Sequence, residues 1–437
     1  MNSMARKASL TLDINPSFTS LVLDFVEKGA MAFNMADGDV SRIRLAGEEV
    51  FGYLCHTAKT GSEVTIEALN NLYSMEIRFT FKARSFDPYA FNLTAFVTPD
   101  DGQAYDLGLL IGSRAVDRFS IVHGHPEGLV LSLIKEKTYP PWSEDQAGKA
   151  VTLKNFDTKK PDDEMVKRFV REGVHHYDET IFPATYRVPA RMVDMIAQGD
   201  CHMLVACGTG MEGGEVGGGI IWRFIGEGMI QFYGPYVFDQ RLRSDIAGSL
   251  VDAFLSAVAK TDRSGTYTYY TTVDLPAEYF EHLGEIEYSL EDGSKQARGF
   301  FYRQLKEDDG SHVWASGPLE PFLHEVYDRL FLPRQIVSTS FEGERRAPHS
   351  VLSVEFNRPH SSATIRPVWD GEDYMENLAG HVHILEEEGL KNIFFDLDLG
   401  APWQAKLVPA LFERGFKPVL LLPYAGLADV VVFQHVQ

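Results

Sequence analysis

Three apolar segments in the middle of the chain constrain its fold more than any other feature. The segments "CHMLVAC", "GEVGGGIIWRFI" and "GMIQFYGPYVF" lie within residues 201–238 and are joined by glycine-rich turns. Apolar runs of this length, bounded by glycine, are typical of strands in a buried sheet. The run "GMEGGEVGGG" precedes a strand rather than a helix, so it indicates a hairpin turn and not a phosphate-binding loop. The sequence therefore predicts three consecutive strands.

Two polar segments divide the chain into three blocks. The segment "YPPWSEDQAGK" is rich in proline, glycine and charge, as linkers are, and "KEDDGSHVWASGP" is similarly polar. A chain of 437 residues is long enough for about three domains. We therefore expect domains at residues 1–140, 150–308 and 318–437.

The first block alternates strand and helix patterns. The strand "SLTLDI" is followed by two helices, the second over residues 43–56, and then by the strands "SEVTIEAL" and "SMEIRFTFKA". The block closes with "DLGLLIGSRAVDRF", a turn into a helix, and with a hairpin. This order predicts a two-layer α+β sandwich with helices over a mostly antiparallel sheet.

The second block predicts a mixed α/β fold. Its apolar strands are followed by a helix over residues 243–260, a strand "TYTYYTTV", a helix "AEYFEHLG" and a last strand "ARGFFYRQL". The third block contains "IFFDLDLGAPWQAKLVPALFERGF", which has the same plan as "YYTTVDLPAEYFEHLGE". We expect the third block to repeat the second half of the second, although any α/β unit supplies a strand and a helix.

Charge and composition exclude several function classes. A net charge of −21 repels nucleic acid and anionic lipid, and an anionic cofactor would need a local cluster of backbone N–H groups or arginines. The three cysteines lack metal or disulfide spacing, no acid–histidine cluster completes a metal site, and no apolar run reaches membrane-spanning length. The N-terminal segment has no apolar stretch typical of a signal peptide, so we expect a cytoplasmic protein.

The helix "EEVFGYLCH" places an acid, Glu48, eight residues before His56. This spacing resembles the N-box of the anti-sigma-factor serine kinases, a branch of the histidine-kinase-type ATPases, and the resemblance covers residues 10–137. It implies ATP binding with Mg²⁺, with Glu48 as general base and His56 lining the nucleotide site. Gly52 stands where the family has asparagine, and glycine has no side-chain oxygen for a hard cation.

The other ATP-site motifs of this block are altered. Ala83 stands where the family has the aspartate that reads adenine. In "DLGLLIGSRAVD", Gly108 fits the phosphate-binding loop, but one glycine of that loop is replaced by Asp106 or Leu107. A carboxylate there repels a phosphate. The resemblance therefore predicts a degenerate ATPase module.

The segment "GPYVFDQRLRSDIAGSLVDAF" resembles the cofactor-binding strand, loop and helix of GNAT-type N-acyltransferases, which bind acetyl-CoA or other acyl-CoA. In that family, backbone N–H groups at the helix N-terminus bind the pyrophosphate of CoA. The residues that the resemblance implies as cofactor-binding are Val237, Arg241, Arg243, Ile246 and Ala247. Asp245 replaces the central glycine, and it either opposes the phosphates or caps the helix.

The resemblance also points to catalytic candidates. The family often uses a tyrosine of its last helix as general acid to the departing thiolate. Phe280 occupies that position here, with Tyr279 beside it, and Tyr233 and Glu215 are candidate bases on strands facing the expected cleft. The family binds CoA in a gap between two strands, which here end near Val237 and Val273. If a side chain fills that gap in the structure, CoA binding is excluded.

Three functions follow from these resemblances. The first is acyl-CoA-dependent N-acyl transfer to a small-molecule or protein amine, with the ATPase-like block as regulator. The second is a non-catalytic signalling protein whose degenerate modules bind a ligand or a regulatory protein of the sigma-regulator type. The third is an ATP-dependent serine kinase of the anti-sigma type. Homodimer formation is compatible with each.

Overall fold

A computed structural model describes residues 6–59, 61–82, 86–95, 104–124, 128–140, 142, 151–209, 214–290, 292–339 and 346–436. The chain forms a mixed α+β fold and divides into two compact units. Unit 1 comprises Met1–Pro140, Arg345–Ser353 and Pro367–His381, and unit 2 comprises Pro141–Glu344, Val354–Arg366 and Val382–Gln437. Residues of the predicted third domain therefore belong to both units. Within the described ranges, no helix is both long and apolar enough to cross a membrane.

Unit 1 contains a five-stranded antiparallel sheet under helices. Its sheet has the strand order β1-β2-β3-β5-β4. The elements are β1 (Lys7–Asp13), α1 (Thr19–Ala32), α2 (Asp37–Thr57), β2 (Glu63–Asn70), β3 (Ser74–Phe81), α3 (Ala104–Ala115), β4 (Arg118–Gly124) and β5 (Gly128–Glu136). The predicted sandwich is confirmed.

Alternation along the strands of unit 1 places one face of the sheet against the helices. In β2, Val64, Ile66 and Ala68 are buried, and their neighbours along the strand are partly or fully exposed. The same core contains Val26 of α1 and Val351, which is distant in sequence. Burial of a valine or isoleucine side chain stabilises the fold by about 1.5–3 kcal/mol.

A buried amide links the distant segments of unit 1. Asn92 is fully buried, and its Nδ2 donates to the carbonyl of Ser350 at 2.8 Å. Its Oδ1 accepts from the backbone N–H of Leu352 at 2.9 Å and from Nδ2 of Asn377 at 3.0 Å. Because buried polar groups need partners, these bonds fix residues 345–353 and the start of a late helix as parts of unit 1.

Replacing Asn92 by Ala is expected to lower the free energy of unfolding of unit 1 by about 2–4 kcal/mol, because buried partners lose their hydrogen bonds. Urea unfolding of the full-length chain measures the change. Asn71, which is partly exposed, provides the matched control, and Asn71→Ala should change stability by less than about 1 kcal/mol. Equal effects of the two substitutions would show that the amide of Asn92 does not hold these segments.

The larger sheet of unit 2 has seven strands in the order β11-β12-β10-β9-β8-β7-β6. Its elements are β6 (Phe156–Lys159), α4 (Asp163–His176), α5 (Pro189–Gln198), β7 (His202–Gly208), β8 (Val216–Ile225), β9 (Met229–Val237), α6 (Arg243–Val258), β10 (Gly265–Tyr270), β11 (Glu281–Ser289) and β12 (Lys295–Gln304). The three apolar segments form β7, β8 and β9, as predicted, and pair antiparallel. β9 and β10 pair in parallel, with α6 between them in the chain.

The predicted helix "AEYFEHLG" is wrong. A single 3-10 turn, Ala277–Tyr279, is followed directly by β11. The reason is visible in "EIEYS", where Ile286 and Tyr288 are buried and alternate with exposed glutamates. This alternation has the period of a strand, and pairing of β11 with β12 satisfies its backbone.

The remaining elements form a two-stranded parallel sheet and a second five-stranded sheet. They are β13 (Ser311–Ala315), α7 (Glu320–Leu330), β14 (Arg334–Ser338), β15 (Val351–Asn357), β16 (Ser362–Trp369), α8 (Tyr374–Glu387), β17 (Asn392–Asp398), α9 (Val408–Glu413), β18 (Phe416–Leu422) and β19 (Val430–His435). The five-stranded sheet has the order β15-β16-β17-β19-β18.

The strand order of the two sheets agrees with the predicted internal repeat, although the helix of its shared plan is absent from the first copy. The strands β9-β10-β12-β11 and β16-β17-β19-β18 share one order, with a parallel pair followed by two antiparallel pairs. A helix, α6 or α8, connects the parallel pair in each copy. The copies differ at one connection, where the second has α9 between β17 and β18 and the first has only the 3-10 turn.

Candidate functional site

The candidate site lies where β9 and β10 separate, because strands that diverge leave backbone groups without a ladder partner. The two strands pair from Gly265–Met229 to Tyr270–Tyr233. Further along β9, the N–H of Phe238 donates to the carbonyl of Gly217 on the β8 side at 2.8 Å. Since backbone groups alternate in direction along a strand, the N–H and C=O of Val237 point away from β8. We call this region, bounded by residues 235–237 and 271–274, the β9–β10 gap.

Tyr177 occupies the β9–β10 gap. This residue directly follows α4, and its hydroxyl donates to the carbonyl of Val237 at 3.0 Å and accepts from the N–H of Val237 at 2.9 Å. Thr272, which is buried, donates its hydroxyl to the carbonyl of Pro235 at 2.6 Å. The backbone groups of β9 that face the gap are therefore bonded to side chains of the chain itself.

A buried carboxylate occupies the loop between β9 and α6. Asp239 is fully buried and accepts from the backbone N–H of Leu153 at 2.6 Å and of Arg241 at 2.9 Å. Burial opposes ionisation of Asp239, but its backbone hydrogen bonds outweigh burial and hold its pKa below the ordinary value. An internal anion therefore lies among N–H donors at the place where the sequence predicts a bound pyrophosphate.

The arginines predicted to bind cofactor also have internal partners. The guanidinium of Arg241 donates to the carbonyl of Leu153 at 2.8 Å and lies 3.7 Å from Asp239. Arg243, the first residue of α6, forms a two-point ion pair with Asp274, in which Nη2 and Oδ2 are 3.2 Å apart. Asp274 is the last residue of the gap boundary on the β10 side, and its side chain is nearly buried.

The start of α6 brings the other predicted cofactor residues to the same place. The side chains of Ile246 and Ala247 are buried in the core between α6 and the sheet, so they hold the helix rather than face a ligand. Asp245 is exposed in the first turn, and no side chain caps the helix. An acid in this turn stabilises the helix through its dipole by about 0.3–1 kcal/mol.

Replacing Tyr177 by Phe is expected to destabilise unit 2 by about 1–3 kcal/mol at neutral pH, because the N–H and C=O of Val237 lose their partner. Burial raises the pKa of Tyr177 from 10.0 to about 12, so the folded state holds the phenolic proton more tightly. That contribution is complete below pH 10 and is lost as the pH rises towards about 12. Urea unfolding of wild type and Tyr177→Phe should show that their difference in free energy of unfolding is smaller at alkaline than at neutral pH. A difference that does not change with pH would contradict the role of the Tyr177 hydroxyl.

The structure does not bring the predicted catalytic residues together. Tyr279 packs against the core on the α6 side of the sheet, whereas Tyr233 alternates with Phe232 and lies on the opposite face. The hydroxyl of Tyr233 donates to Gln231 at 2.8 Å, and burial raises its pKa well above the ordinary value, which opposes a role as base. Glu215 is exposed and lies just before β8.

The predicted nucleotide-binding residues lie on two packed helices of unit 1. Glu48 and His56 lie on α2, with His56 exposed. Gly108 lies inside α3 rather than in a loop, and a Cβ there would overlap the carboxylate of Glu49, so α3 packs directly on α2. A Cβ at Gly52 would meet no atom within 4 Å. Ala83 lies outside the described residues.

The partners that close the gap cannot be predicted from adjacency in the sequence. The cofactor residues were predicted together because they are adjacent in sequence, but Tyr177, Asp239 and Asp274 come from three separate segments. One signal was available. Asp239 lies in the strand-to-helix loop two residues after Val237, where a carboxylate can accept backbone N–H bonds. Among the residues described, no three potential metal ligands form a cluster.

Comparisons with solved structures find weak similarities, each over about a third of this chain. No protein-family model and no curated protein matches the chain. The RsbU and RsbW domains of a Mycobacterium tuberculosis protein are 13% identical, with a TM-score of 0.24, over 31% of this chain and 34% of that one. A putative GNAT-family acetyltransferase from Desulfovibrio desulfuricans is 14% identical, with a TM-score of 0.27, over 35% of this chain and 99% of that one. An aminoglycoside 6'-N-acetyltransferase complexed with coenzyme A is 12% identical, with a TM-score of 0.26, over 35% and 98%.

Proposed function

We propose that the protein is a non-catalytic signalling protein, in which unit 2 is a binding module with a GNAT-type sheet. The observation that supports this most is the pairing of both backbone groups of Val237 with the hydroxyl of Tyr177. A cofactor that entered the β9–β10 gap would have to break these two bonds. It would also have to displace the Arg243–Asp274 ion pair at the start of α6.

Electrostatics of the gap support the same function. The phosphates of CoA would approach two carboxylates, those of Asp239 and Asp274, in a protein of net charge −21. Two like charges about 5 Å apart repel by about 3 kcal/mol at an effective dielectric constant of ~20. The donors that could offset this repulsion already bind the internal carboxylates.

Unit 1 fits a regulatory or dimerising role better than ATP chemistry. Gly52 offers no side-chain oxygen to Mg²⁺, and Gly108 is packed in a helix instead of a phosphate-binding loop. In this proposal a regulatory protein of the sigma-regulator type or a small ligand is the partner, and the protein acts in the cytoplasm.

Acyl-CoA-dependent N-acyl transfer to an amine is the second candidate. It is favoured by one observation, the placement of Val237, Arg241 and Arg243 together at the N-terminus of α6, where a pyrophosphate would find N–H groups and cations. This function requires Tyr177 and Asp274 to move out of the gap when CoA binds.

Release of CoA thiol from acetyl-CoA, followed with a thiol reagent, distinguishes the two candidates. Polyamines and lysine-containing peptides serve as acceptors. We expect no rate above the uncatalysed background for the full-length protein. An amine-dependent rate that disappears in Arg243→Ala but persists in Asp245→Ala, the exposed neighbour on α6, would establish the transferase instead.

A further inference from the structure

The face of the large sheet opposite α6 carries a row of polar side chains. Arg223, Gln231 and Tyr267 lie side by side, because β8 pairs Arg223 with Gln231 and β10 pairs Tyr267 with Gln231. Ile230 and Phe232 alternate with Gln231 along β9 and face α6. The row therefore lies on the opposite face of the sheet. A polar row on a buried face needs a partner that compensates its desolvation.

Gln231 holds the guanidinium of Arg223 by one edge. Nε and Nη2 of Arg223 donate to Oε1 of Gln231 at 3.1 and 2.9 Å. Gln231 is 1% exposed and neutral, so it positions the cation without neutralising it. The edge formed by Nη1 and Nη2 is the second fork of a guanidinium and matches a carboxylate. Among the residues that the structure describes, no carboxylate forms an ion pair with Arg223.

Tyrosine rings surround this cation. The hydroxyl of Tyr233 donates to Oε1 of Gln231 at 2.8 Å, and the guanidinium carbon of Arg223 lies 5.9 Å from the ring centroid of Tyr233. Tyr186 meets Tyr233 edge-on at 4.9 Å, and Tyr270 stacks on it at 5.2 Å. Burial raises the pKa of Tyr186, so its hydroxyl stays neutral beside Tyr233.

A second arginine of unit 2, Arg366, is already paired with carboxylates. Arg366 donates to Asp396 at 2.9 Å and also pairs with Glu355. The charges of Arg366, Asp396 and Arg223 all affect the pKa of Tyr267. The Arg366–Asp396 pair and Arg223 therefore lie near the same tyrosine. The side chain of Arg366 is 46% exposed, and Arg223 itself is partly exposed. Arg223 thus has no carboxylate partner among the described residues, whereas the carboxylates of Asp396 and Glu355 are paired with Arg366.

We infer that the surface formed by Arg223 and the surrounding rings of Tyr186, Tyr233 and Tyr270 binds a small aromatic carboxylate, whose carboxylate pairs with the Nη1–Nη2 edge of Arg223 and whose ring packs on the tyrosines. The inference rests on the proposed function, in which unit 2 is a binding module. The carboxylates of Asp396 and Glu355 favour a single negative charge, so a phosphate is a poorer ligand than a carboxylate. The site lies on the sheet face opposite α6.

Phenylacetate tests this site, with phenylacetamide as the neutral molecule of the same shape. Calorimetric titration of the full-length protein should show saturable binding of phenylacetate and none of phenylacetamide or inorganic phosphate at about 50 mM. Arg223→Gln should weaken the binding of phenylacetate at least about tenfold, because it removes a charged hydrogen-bond pair. Arg358→Gln, an arginine whose side chain is 64% exposed, should leave the affinity unchanged.

Three results would overturn the inference. They are no binding of phenylacetate to the folded wild-type protein, equal binding of phenylacetate and phenylacetamide, and tighter binding of phosphate than of phenylacetate. If Arg223→Gln does not fold, Arg223→Lys keeps the charge and loses the fork, and it should bind phenylacetate more weakly than wild type. Amine-dependent release of CoA thiol together with Arg223-dependent phenylacetate binding would refute the proposed function and retain this site.

Discussion

Replacing Arg334 by Met is expected to lower the free energy of unfolding of unit 2 by about 3–5 kcal/mol. The side chain of Arg334 is fully buried between Asp308 and Asp429. Its Nη1 donates to Asp308 at 2.6 Å, and its Nε donates to Asp429 at 2.7 Å. Loss of the guanidinium leaves two buried carboxylates without a cation, which is among the costliest changes available to a folded chain.

The pH dependence of this effect has a defined sign. Burial opposes ionisation of Asp308, but hydrogen bonds from Tyr424 and Arg334 outweigh it and hold its pKa below the ordinary value. In wild type, this contribution is present above the unfolded pKa and is lost as the pH falls through the folded pKa. In Arg334→Met the buried carboxyl is easier to protonate, so the difference between the two proteins should shrink at acidic pH.

Urea unfolding of full-length wild type and Arg334→Met at neutral and acidic pH measures both expectations. Arg358→Met is the matched control, because Arg358 forms an exposed pair with Glu388 and such pairs contribute about 0–1 kcal/mol. An effect of Arg334→Met no larger than that of the control would show that the buried ion pairs do not hold β14 to the β18–β19 connection.

Replacing Asp239 by Ala is expected to lower the stability of unit 2 by about 2–4 kcal/mol, since buried N–H groups lose a charged acceptor. The same change should create an anion site. The N–H groups of Leu153 and Arg241 would then be available, next to the N-terminus of α6. Inorganic pyrophosphate should therefore raise the melting temperature of Asp239→Ala and leave that of wild type unchanged.

Asp245→Ala is the control for this experiment. It removes a carboxylate from the first turn of α6, but that carboxylate is exposed. We expect a loss of about 0.3–1 kcal/mol and no response to pyrophosphate. Equal responses of the two variants, or a response of wild type, would mean that Asp239 does not occupy an anion site.

Local patterns in the sequence were sufficient for the sheet cores and the repeat. Glycine-bounded apolar runs gave β7, β8 and β9, and the alternation in "SEVTIEAL" gave β2. The strand order of the two sheets agrees with a repeat, but of its two predicted helices only the one in the third block forms, as α9. The pattern failed at "AEYFEHLG", because pairing of β11 with β12 overrides the weak helical preference of a short segment.

Long-range partners could not be predicted from local patterns. Sequence adjacency predicts Val237, Arg241 and Arg243 in one cofactor site, and in the structure they lie at the end of β9 and the start of α6. Whether that site is open depends on Tyr177 and Asp274. These residues are 60 and 37 positions from Val237 in the sequence, and only the tertiary structure brings them to the site. The membership of residues 345–353 in unit 1 likewise depends on the buried amide of Asn92.

Calorimetric titration of acetyl-CoA into the full-length wild-type protein tests the central claim most directly. If side chains of the protein fill the β9–β10 gap, no saturable heat of binding appears at acetyl-CoA concentrations up to about 1 mM. A Kd of about 1 mM corresponds to a binding free energy of only ~4.1 kcal/mol. Tyr177→Ala, which clears the gap, is the comparison protein and should bind no more weakly than wild type. A micromolar Kd for wild type, about 8.2 kcal/mol, would contradict the account.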